Sequence, residues 1–156
     1  MKLICKHNGL ELEITDSLLD KFYNLGMEHY PKEFGGLLIG SYSEDKKTCH
    51  VTETILPSKY VSSKYIFKRG KEGLKQKLEE FYNGTPSLNY VGEWHTHPDA
   101  EPEPSAMDKQ AMKEISGNED VLIASPILLI LGIGTKKLKI GAYIHFNNQL
   151  YKYHEK

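Results

Sequence analysis

Residues 92–98 are Gly-Glu-Trp-His-Thr-His-Pro, and residues 105–108 are Ser-Ala-Met-Asp. The first stretch ends an apolar run that is typical of a β-strand. Because side chains alternate between the two faces of a strand, His95 and His97 are expected to project to the same side. Two imidazoles and a carboxylate are ligands that zinc accepts, and Asp108 is the candidate carboxylate. Three protein ligands would leave one tetrahedral position open, as in catalytic rather than structural zinc sites.

Each fragment also has a purely structural interpretation. A His-x-His pair occurs on many exposed strands, and Ser105-x-x-Asp108 is equally the pattern of a helix N-terminus with serine as the N-cap. The two interpretations are compatible, because a helix that begins after Ser105 carries Asp108 in its first turn. The combined pattern is therefore far more specific for a metal site than either fragment alone.

The spacing His95-x-His97, seven residues, Ser105, two residues, Asp108 resembles the JAMM motif of the JAB/MPN metallopeptidases. Residues 31–40 (Pro-Lys-Glu-Phe-Gly-Gly-Leu-Leu-Ile-Gly) are similar to the usual setting of that family's upstream catalytic glutamate. The resemblance implies one Zn²⁺ per chain, bound by His95, His97 and Asp108. It also implies that Glu33 is the general base and that Ser105 stabilises the tetrahedral intermediate.

The residues alone leave two of these roles open. Glu93 is expected on the same strand face as His95, so it is an alternative base or a partner that orients an imidazole. The resemblance favours Glu33. Ser105 can cap the helix, donate a hydrogen bond to a developing oxyanion, or do both.

The resemblance also implies a substrate class. This chain is similar to small standalone prokaryotic members of the family, including those in antiviral CBASS-type operons that conjugate a ubiquitin-like protein. It would hydrolyse the bond after the C-terminal glycine of such a protein or of its conjugates, with operon-encoded activating and conjugating enzymes as further partners. By the same analogy, residues 57–69 would bind the extended substrate tail by strand addition.

Other functions remain as alternatives. One is a peptidase that processes a sulfur-carrier protein, and another is a non-catalytic MPN scaffold, although known scaffolds usually lack part of the motif. A third is a DNA-related protein of the RadC-like branch. The formal net charge of −1 gives no electrostatic support for nucleic-acid binding and argues against that third alternative.

Length and composition predict one domain over residues 1–156. The chain is 39% hydrophobic and 26% charged, which is typical of a globular protein. No apolar run is long enough to span a bilayer, and the N-terminus becomes polar too early for a secretory signal. The two cysteines, Cys5 and Cys49, are interpreted as reduced, in a cytoplasmic protein.

Hydrophobic periodicity and turn residues predict a mixed α/β fold with a central sheet and flanking helices, the class that the JAB/MPN resemblance also implies. Strands are predicted at residues 2–7, 11–14, 34–43, 48–56, 88–97, 121–124, 126–134, 138–145 and 149–154. Helices are predicted from 15 or 16 to 29, from 71 to 82 and from 105 to about 115. Residues 57–69 are predicted to be a long polar loop, and 98–104 a proline-rich one. Trp94 and Thr96 are expected in the core, and the other five histidines (His7, His29, His50, His145 and His154) on the surface.

Overall fold

The described residues of the computed structural model, 1–134 and 137–156, form ten strands and three helices. The strands are β1 (Lys2–Cys5), β2 (Glu11–Ile14), β3 (Gly35–Tyr42), β4 (Thr48–Ile55), β5 (Tyr60–Ser62), β6 (Phe67–Arg69), β7 (Asn89–Pro98), β8 (Ile127–Ile133), β9 (Lys139–Phe146) and β10 (Gln149–Glu155). The helices are α1 (Asp16–His29), α2 (Leu74–Tyr82) and α3 (Ala106–Ser116).

Eight of the strands form one sheet that closes into a barrel, in the order β1-β10-β9-β8-β7-β3-β4-β2. Two neighbouring pairs, β2 with β4 and β7 with β8, are parallel, and the other pairs are antiparallel. Strands β5 and β6 form a separate antiparallel hairpin, which we call the β5–β6 hairpin. The predicted α/β fold with a mixed sheet is confirmed; closure of that sheet into a barrel was not predicted.

Helix α1 packs on the inner face of the sheet. Thr15 caps its N-terminus, and its buried residues Leu18, Leu19 and Phe22 join the main core. The ring of Phe22 stacks on that of Trp94, with centroids 4.3 Å apart. The helix therefore lies directly behind the segment of β7 that carries the two histidines of interest.

The outer face of the sheet is covered by the other two helices. Leu74 of α2 packs with β3 and β4, and Met112 of α3 packs with β8 and β9. Strands β3, β7 and β8 are therefore covered on both faces, which explains why residues 127–133 are apolar throughout instead of alternating.

Three predictions about secondary structure were wrong or incomplete. Residues 121–124 do not form a strand; they are irregular, and Leu122 is 89% exposed with a φ of +53°. Residues 57–69 are not a simple loop, because they contain the β5–β6 hairpin. Helix α2 begins at Leu74, later than predicted, after Gly73 in a left-handed conformation. The remaining helices and strands lie close to their predicted positions.

The prediction that His145 lies on the surface was also wrong. His145 is 4% exposed, on the face of β9 that α3 covers, and its two ring nitrogens have no hydrogen-bond partner among the described residues. Burial lowers the pKa of His145 below the ordinary value of 6.5. Cys5 and Cys49 are both buried and unbridged in the described chain. No helix among the described residues combines the length and apolar composition that crossing a bilayer requires.

Candidate metal centre

Strand β7 places His95 and His97 on one face and Trp94 and Thr96 on the other. Trp94 is 1% exposed and Thr96 is fully buried, as predicted for core residues. The two imidazoles face each other, with their Nε2 atoms 3.0 Å apart. The alternation of a strand thus separates the residues of the core from the two candidate ligands.

Helix α3 brings Asp108 to these imidazoles. Ser105 is the N-cap: its Oγ accepts a hydrogen bond from the Asp108 backbone at 3.1 Å, and the Asp108 carboxylate accepts one from the Ser105 backbone at 2.7 Å. This capping box fixes the first turn of the helix. The carboxylate oxygens of Asp108 then lie 3.2 Å from Nε2 of His95 and 3.5 Å from Nε2 of His97.

The spacing of these ligand atoms fits a tetrahedral zinc site. Ligands at about 2.0–2.1 Å from zinc, at the tetrahedral angle, are about 3.3–3.4 Å apart. The two Nε2 atoms are 3.0 Å apart, Oδ1 of Asp108 lies 3.2 Å from Nε2 of His95, and the other carboxylate oxygen, Oδ2, lies 3.5 Å from Nε2 of His97, so each separation is close to that value. Nδ1 of His97 lies 3.2 Å from the carbonyl oxygen of Glu101, and donation to that oxygen leaves the Nε2 lone pair of His97 available to a metal.

The charge state of Asp108 suits a metal ligand. Burial raises the pKa of Asp108, but hydrogen bonds from His95 and His97 outweigh it and hold the pKa well below the ordinary range of a carboxyl group. Asp108 is therefore ionised near neutral pH, as a metal ligand must be.

Strand pairing brings Glu33 to the same place from a distant part of the sequence. Strands β3 and β7 are antiparallel with Gly35 opposite His95, and Phe34 continues the pairing by two hydrogen bonds with Thr96, of 2.8 and 3.0 Å. The next residue, Glu33, consequently falls opposite His97. Glu33 is 9% exposed. Burial raises its pKa above the ordinary value, although the nearby His95 and His97 oppose this change.

Glu93 is engaged elsewhere. Its Oε1 accepts hydrogen bonds from Nη2 of Arg69 at 2.5 Å, from Nε of Arg69 at 3.2 Å and from the Tyr90 hydroxyl at 3.2 Å. The orienting contact to His97 comes instead from the carbonyl oxygen of Glu101. The structure thus brings together Glu33, His95, His97, Ser105 and Asp108. Glu93 lies on β7 with the two histidines, but its side chain forms a separate ion pair with Arg69.

Two features of the site were missed from the sequence. The Glu101 carbonyl is a backbone group, so no residue type marks it. The β5–β6 hairpin, which contacts Glu33 by hydrogen bonds, has strands of only three residues each. Its only sequence signal is a pair of short aromatic and aliphatic stretches, at 60–61 and 65–67, on either side of a polar turn.

Comparison with known proteins shows that this chain shares a domain with other prokaryotic proteins. Residues 15–140 match the family described as "Prokaryotic homologs of the JAB domain". A protein of Enterobacter hormaechei named CD-NTase/cGAS isopeptidase is 38% identical over 120 residues, which are 76% of this chain and 66% of that protein. A probable metalloprotease of Sinorhizobium fredii is 24% identical over 84% of this chain and 81% of its own length.

The chain thus spans just under two thirds of the Enterobacter protein. For a Vibrio cholerae protein, also named CD-NTase/cGAS isopeptidase, the identity is 26% over 74% of this chain and 70% of that protein. A solved structure from Desulfitobacterium hafniense has a similar fold, with a TM-score of 0.62 and 16% identity over 90% of this chain and 88% of that one.

Proposed function

This chain belongs to the family of prokaryotic homologs of the JAB domain, and we propose that it is a zinc-dependent isopeptidase that cleaves the bond after the C-terminal glycine of a ubiquitin-like protein. One observation carries the proposal: the side chains of His95, His97 and Asp108 converge with metal-ligand spacing, next to a buried glutamate. The names of the relatives support the reaction class, since three of them are called CD-NTase/cGAS isopeptidase and one a probable metalloprotease.

In this proposal His95, His97 and Asp108 hold the zinc ion. When bound, zinc supplies Lewis-acid chemistry, which makes water acidic near neutral pH and polarises a carbonyl group. The three ligand side chains come from a strand covered on both faces and from a capped helix turn, so they are held in place before any metal binds.

Glu33 acts as the general base and then as the general acid. Its carboxylate accepts a proton from the attacking water and passes that proton to the amine that leaves. Burial raises its pKa toward the range in which a carboxyl group can both accept and release a proton near neutral pH. The nearness of Glu33 to the proposed ligands supports this role, because the charges of His95, His97 and Asp108 all act on the pKa of its carboxyl group.

Ser105 stabilises the oxyanion that forms on the scissile carbonyl. Its Oγ already accepts a hydrogen bond from the Asp108 backbone, so its own hydroxyl proton remains available to donate. The helix cap and the oxyanion contact therefore use different parts of the same hydroxyl group.

The β5–β6 hairpin is the proposed binding element for the substrate tail. It is a two-stranded sheet separate from the barrel, and a tail in extended conformation can add to it as a third strand. Val61 and Tyr65 of this hairpin are 69% and 77% exposed, which provides apolar contacts for the tail. The relatives named CD-NTase/cGAS isopeptidase support a CD-NTase as the conjugated protein. We extend the proposal to the operon-encoded enzymes that make the conjugate, as further partners.

The first test is a trap experiment. Wild type and Glu33→Ala are expressed in a host that carries the native operon, and protein conjugates are compared by mass spectrometry. We expect a glycine-terminated tag on lysines that accumulates only with Glu33→Ala. A carrier that instead retains an uncut C-terminal extension would indicate a processing peptidase. No difference between the two strains would refute the catalytic proposal.

The second test measures cleavage in vitro. The substrate is a branched peptide in which a C-terminal glycine is joined to Nε of a lysine, with the same peptide joined through the lysine α-amine as the comparison. Zinc-loaded wild type should release the lysine amine from the branched peptide, whereas Glu33→Gln, which retains the metal ligands, should not.

A further inference from the structure

The β5–β6 hairpin holds the backbone of Glu33 by two hydrogen bonds. The Glu33 backbone N–H donates to the carbonyl oxygen of Ser63 at 2.8 Å. The Ser62 hydroxyl donates to the carbonyl oxygen of Glu33. The peptide groups on both sides of Glu33 are thus fixed by adjacent residues of the hairpin.

The carboxylate of Glu33 has no comparable support. Among the described residues, no side chain or backbone group forms a hydrogen bond with it, so its position depends on its backbone and on packing. On the C-terminal side, Phe34 is tied to Thr96 of β7. The Glu33 backbone therefore lies between two supports, the central sheet on one side and the hairpin on the other.

The hairpin is itself attached to the sheet that carries the metal ligands. At the end of β6, Arg69 forms an ion pair with Glu93 of β7 at 2.5 Å, and both side chains are about four-fifths buried. At the first residue of each hairpin strand, the rings of Tyr60 and Phe67 pack against Phe34, with centroids 5.3 and 5.7 Å away. These contacts attach the hairpin that carries Ser62 to β7 and to Phe34, and the Ser62 hydroxyl links that hairpin to the Glu33 carbonyl.

We propose that Ser62 is a positioning residue for Glu33: its hydroxyl, donated to the Glu33 carbonyl, keeps the carboxylate aligned with the water that it deprotonates. The proposal rests on the function proposed above and assigns the hairpin a second role beside tail binding. Ser62 does not touch the reacting atoms; it acts only through the backbone of the base.

The expected effect is on turnover rather than on binding. Loss of the Ser62 hydroxyl leaves the Glu33 carbonyl without this donor and lets the peptide rotate, which moves the carboxylate. A displacement of about 1 Å at a reacting group lowers the rate by about a hundredfold. A smaller shift, in a backbone that Thr96 and Ser63 still hold, should lower kcat by about tenfold.

Ser63 provides a matched control. Its hydroxyl accepts only a local hydrogen bond from the Tyr65 backbone, at 3.3 Å, while its contribution to Glu33 is made by its backbone carbonyl. Ser63→Ala therefore removes the same group from the adjacent residue and keeps the contact with Glu33. Strand addition of the tail would use backbone groups of the hairpin, so the proposed tail binding involves neither serine hydroxyl, and kcat is the quantity that the control compares. Ser62→Thr keeps the hydroxyl and serves as the conservative rescue.

The experiment compares kcat and KM of wild type, Ser62→Ala, Ser62→Thr and Ser63→Ala on the branched lysine peptide, with zinc content and Tm measured on each. We expect kcat to fall about tenfold in Ser62→Ala alone, with KM and bound zinc unchanged within about twofold, and to recover in Ser62→Thr. Equal kcat in Ser62→Ala and Ser63→Ala, or a loss in Ser62→Ala that appears only in KM, would overturn the proposal.

Failure of the underlying function would look different. If wild type does not cleave the peptide, or if Glu33→Gln cleaves it as fast as wild type, the isopeptidase assignment fails and the role of Ser62 fails with it. If wild type is active and Glu33→Gln is not, the comparison of the two serine variants decides the role of Ser62 alone.

Discussion

Removal and return of zinc should change the stability of this chain by an amount that the ligand geometry allows us to estimate. His95 and His97 lie at the end of β7, whereas Asp108 lies in the first turn of α3. A metal ion held by all three joins a strand to a helix across the intervening loop. In the proposed site the three ligands come together only in the folded chain, so zinc should bind the native state preferentially and shift the unfolding equilibrium toward it.

The size of the shift follows from linkage. Free zinc at a hundred times its Kd stabilises the native state by about 2.7 kcal/mol. For a chain of this length, each 1 kcal/mol raises Tm by about 2–4 °C. The Tm of the metal-free protein should therefore rise by about 5–11 °C when zinc is added, and chelator should reverse the change.

The assay is differential scanning calorimetry with metal analysis on wild type and variants. Wild type should bind about one zinc per chain; His97→Ala should lose both the zinc and the Tm rise. Glu33→Ala should keep both, because Glu33 is not a ligand in our proposal, and so should His154→Ala, which alters an exposed histidine away from the site. An undiminished Tm rise in the double variant His95→Ala, His97→Ala would refute the site.

Three further outcomes are expected. Gly26→Ala should lower the free energy of unfolding by up to about 2 kcal/mol in urea denaturation. Its Cβ would stand 2.6 Å from the Thr96 methyl, and the resulting overpacking costs about 1–3 kcal/mol, against a helix-propensity gain of about 1 kcal/mol. Ser105→Ala should lose about 1 kcal/mol from the helix cap and about a hundredfold in kcat, whereas Ser105→Gly should lose similar activity but less stability. His145→Leu should make the free energy of unfolding less sensitive to acid. Burial lowers the pKa of His145 in the folded protein, so below about pH 6.5 the unfolded chain binds a proton more readily than the folded chain does. Wild type should therefore lose stability in that range, and the variant should not.

The proximity of the three candidate ligands could be predicted from the sequence because the pattern is nearly local. His95 and His97 follow from the alternation of one strand, and Asp108 follows from the cap of the next helix. Each inference needs only a few consecutive residues and a known period. The resulting ligand atoms lie together in the structure as that reasoning predicted.

The proposed general base could not be chosen in this way. Glu33 and Glu93 were both compatible with the sequence, and only a family resemblance favoured Glu33. The structural distinction is the antiparallel register of β3 and β7, which brings Glu33 opposite His97, together with the partner of Glu93, which is Arg69. Both depend on contacts between residues far apart in the chain, and hydrophobic periodicity does not specify which strands pair.

The same reason explains which features of the fold the sequence analysis missed or predicted wrongly. Barrel closure depends on the parallel pairing of β2 with β4 and on the pairing of β1 with β10, which joins the two ends of the chain. Residues 121–124 have the composition of a strand but no partner strand among the described residues. His145 was placed on the surface because histidine usually lies there, whereas its position on β9 puts it beneath α3.

The glycine pair at residues 35–36 connects sequence, fold and site most directly. Gly35 lies opposite His95, and a Cβ at that position would stand 2.1 Å from the Trp94 carbonyl oxygen and 2.8 Å from the His95 Cβ. Any larger residue would push β3 away from β7. Since the β3–β7 pairing is one of the two supports of the Glu33 backbone, the close approach that Gly35 permits helps to keep the proposed base near the proposed ligands. Gly35, the first residue of β3, is thus part of the proposed site, although it contributes no side chain to it.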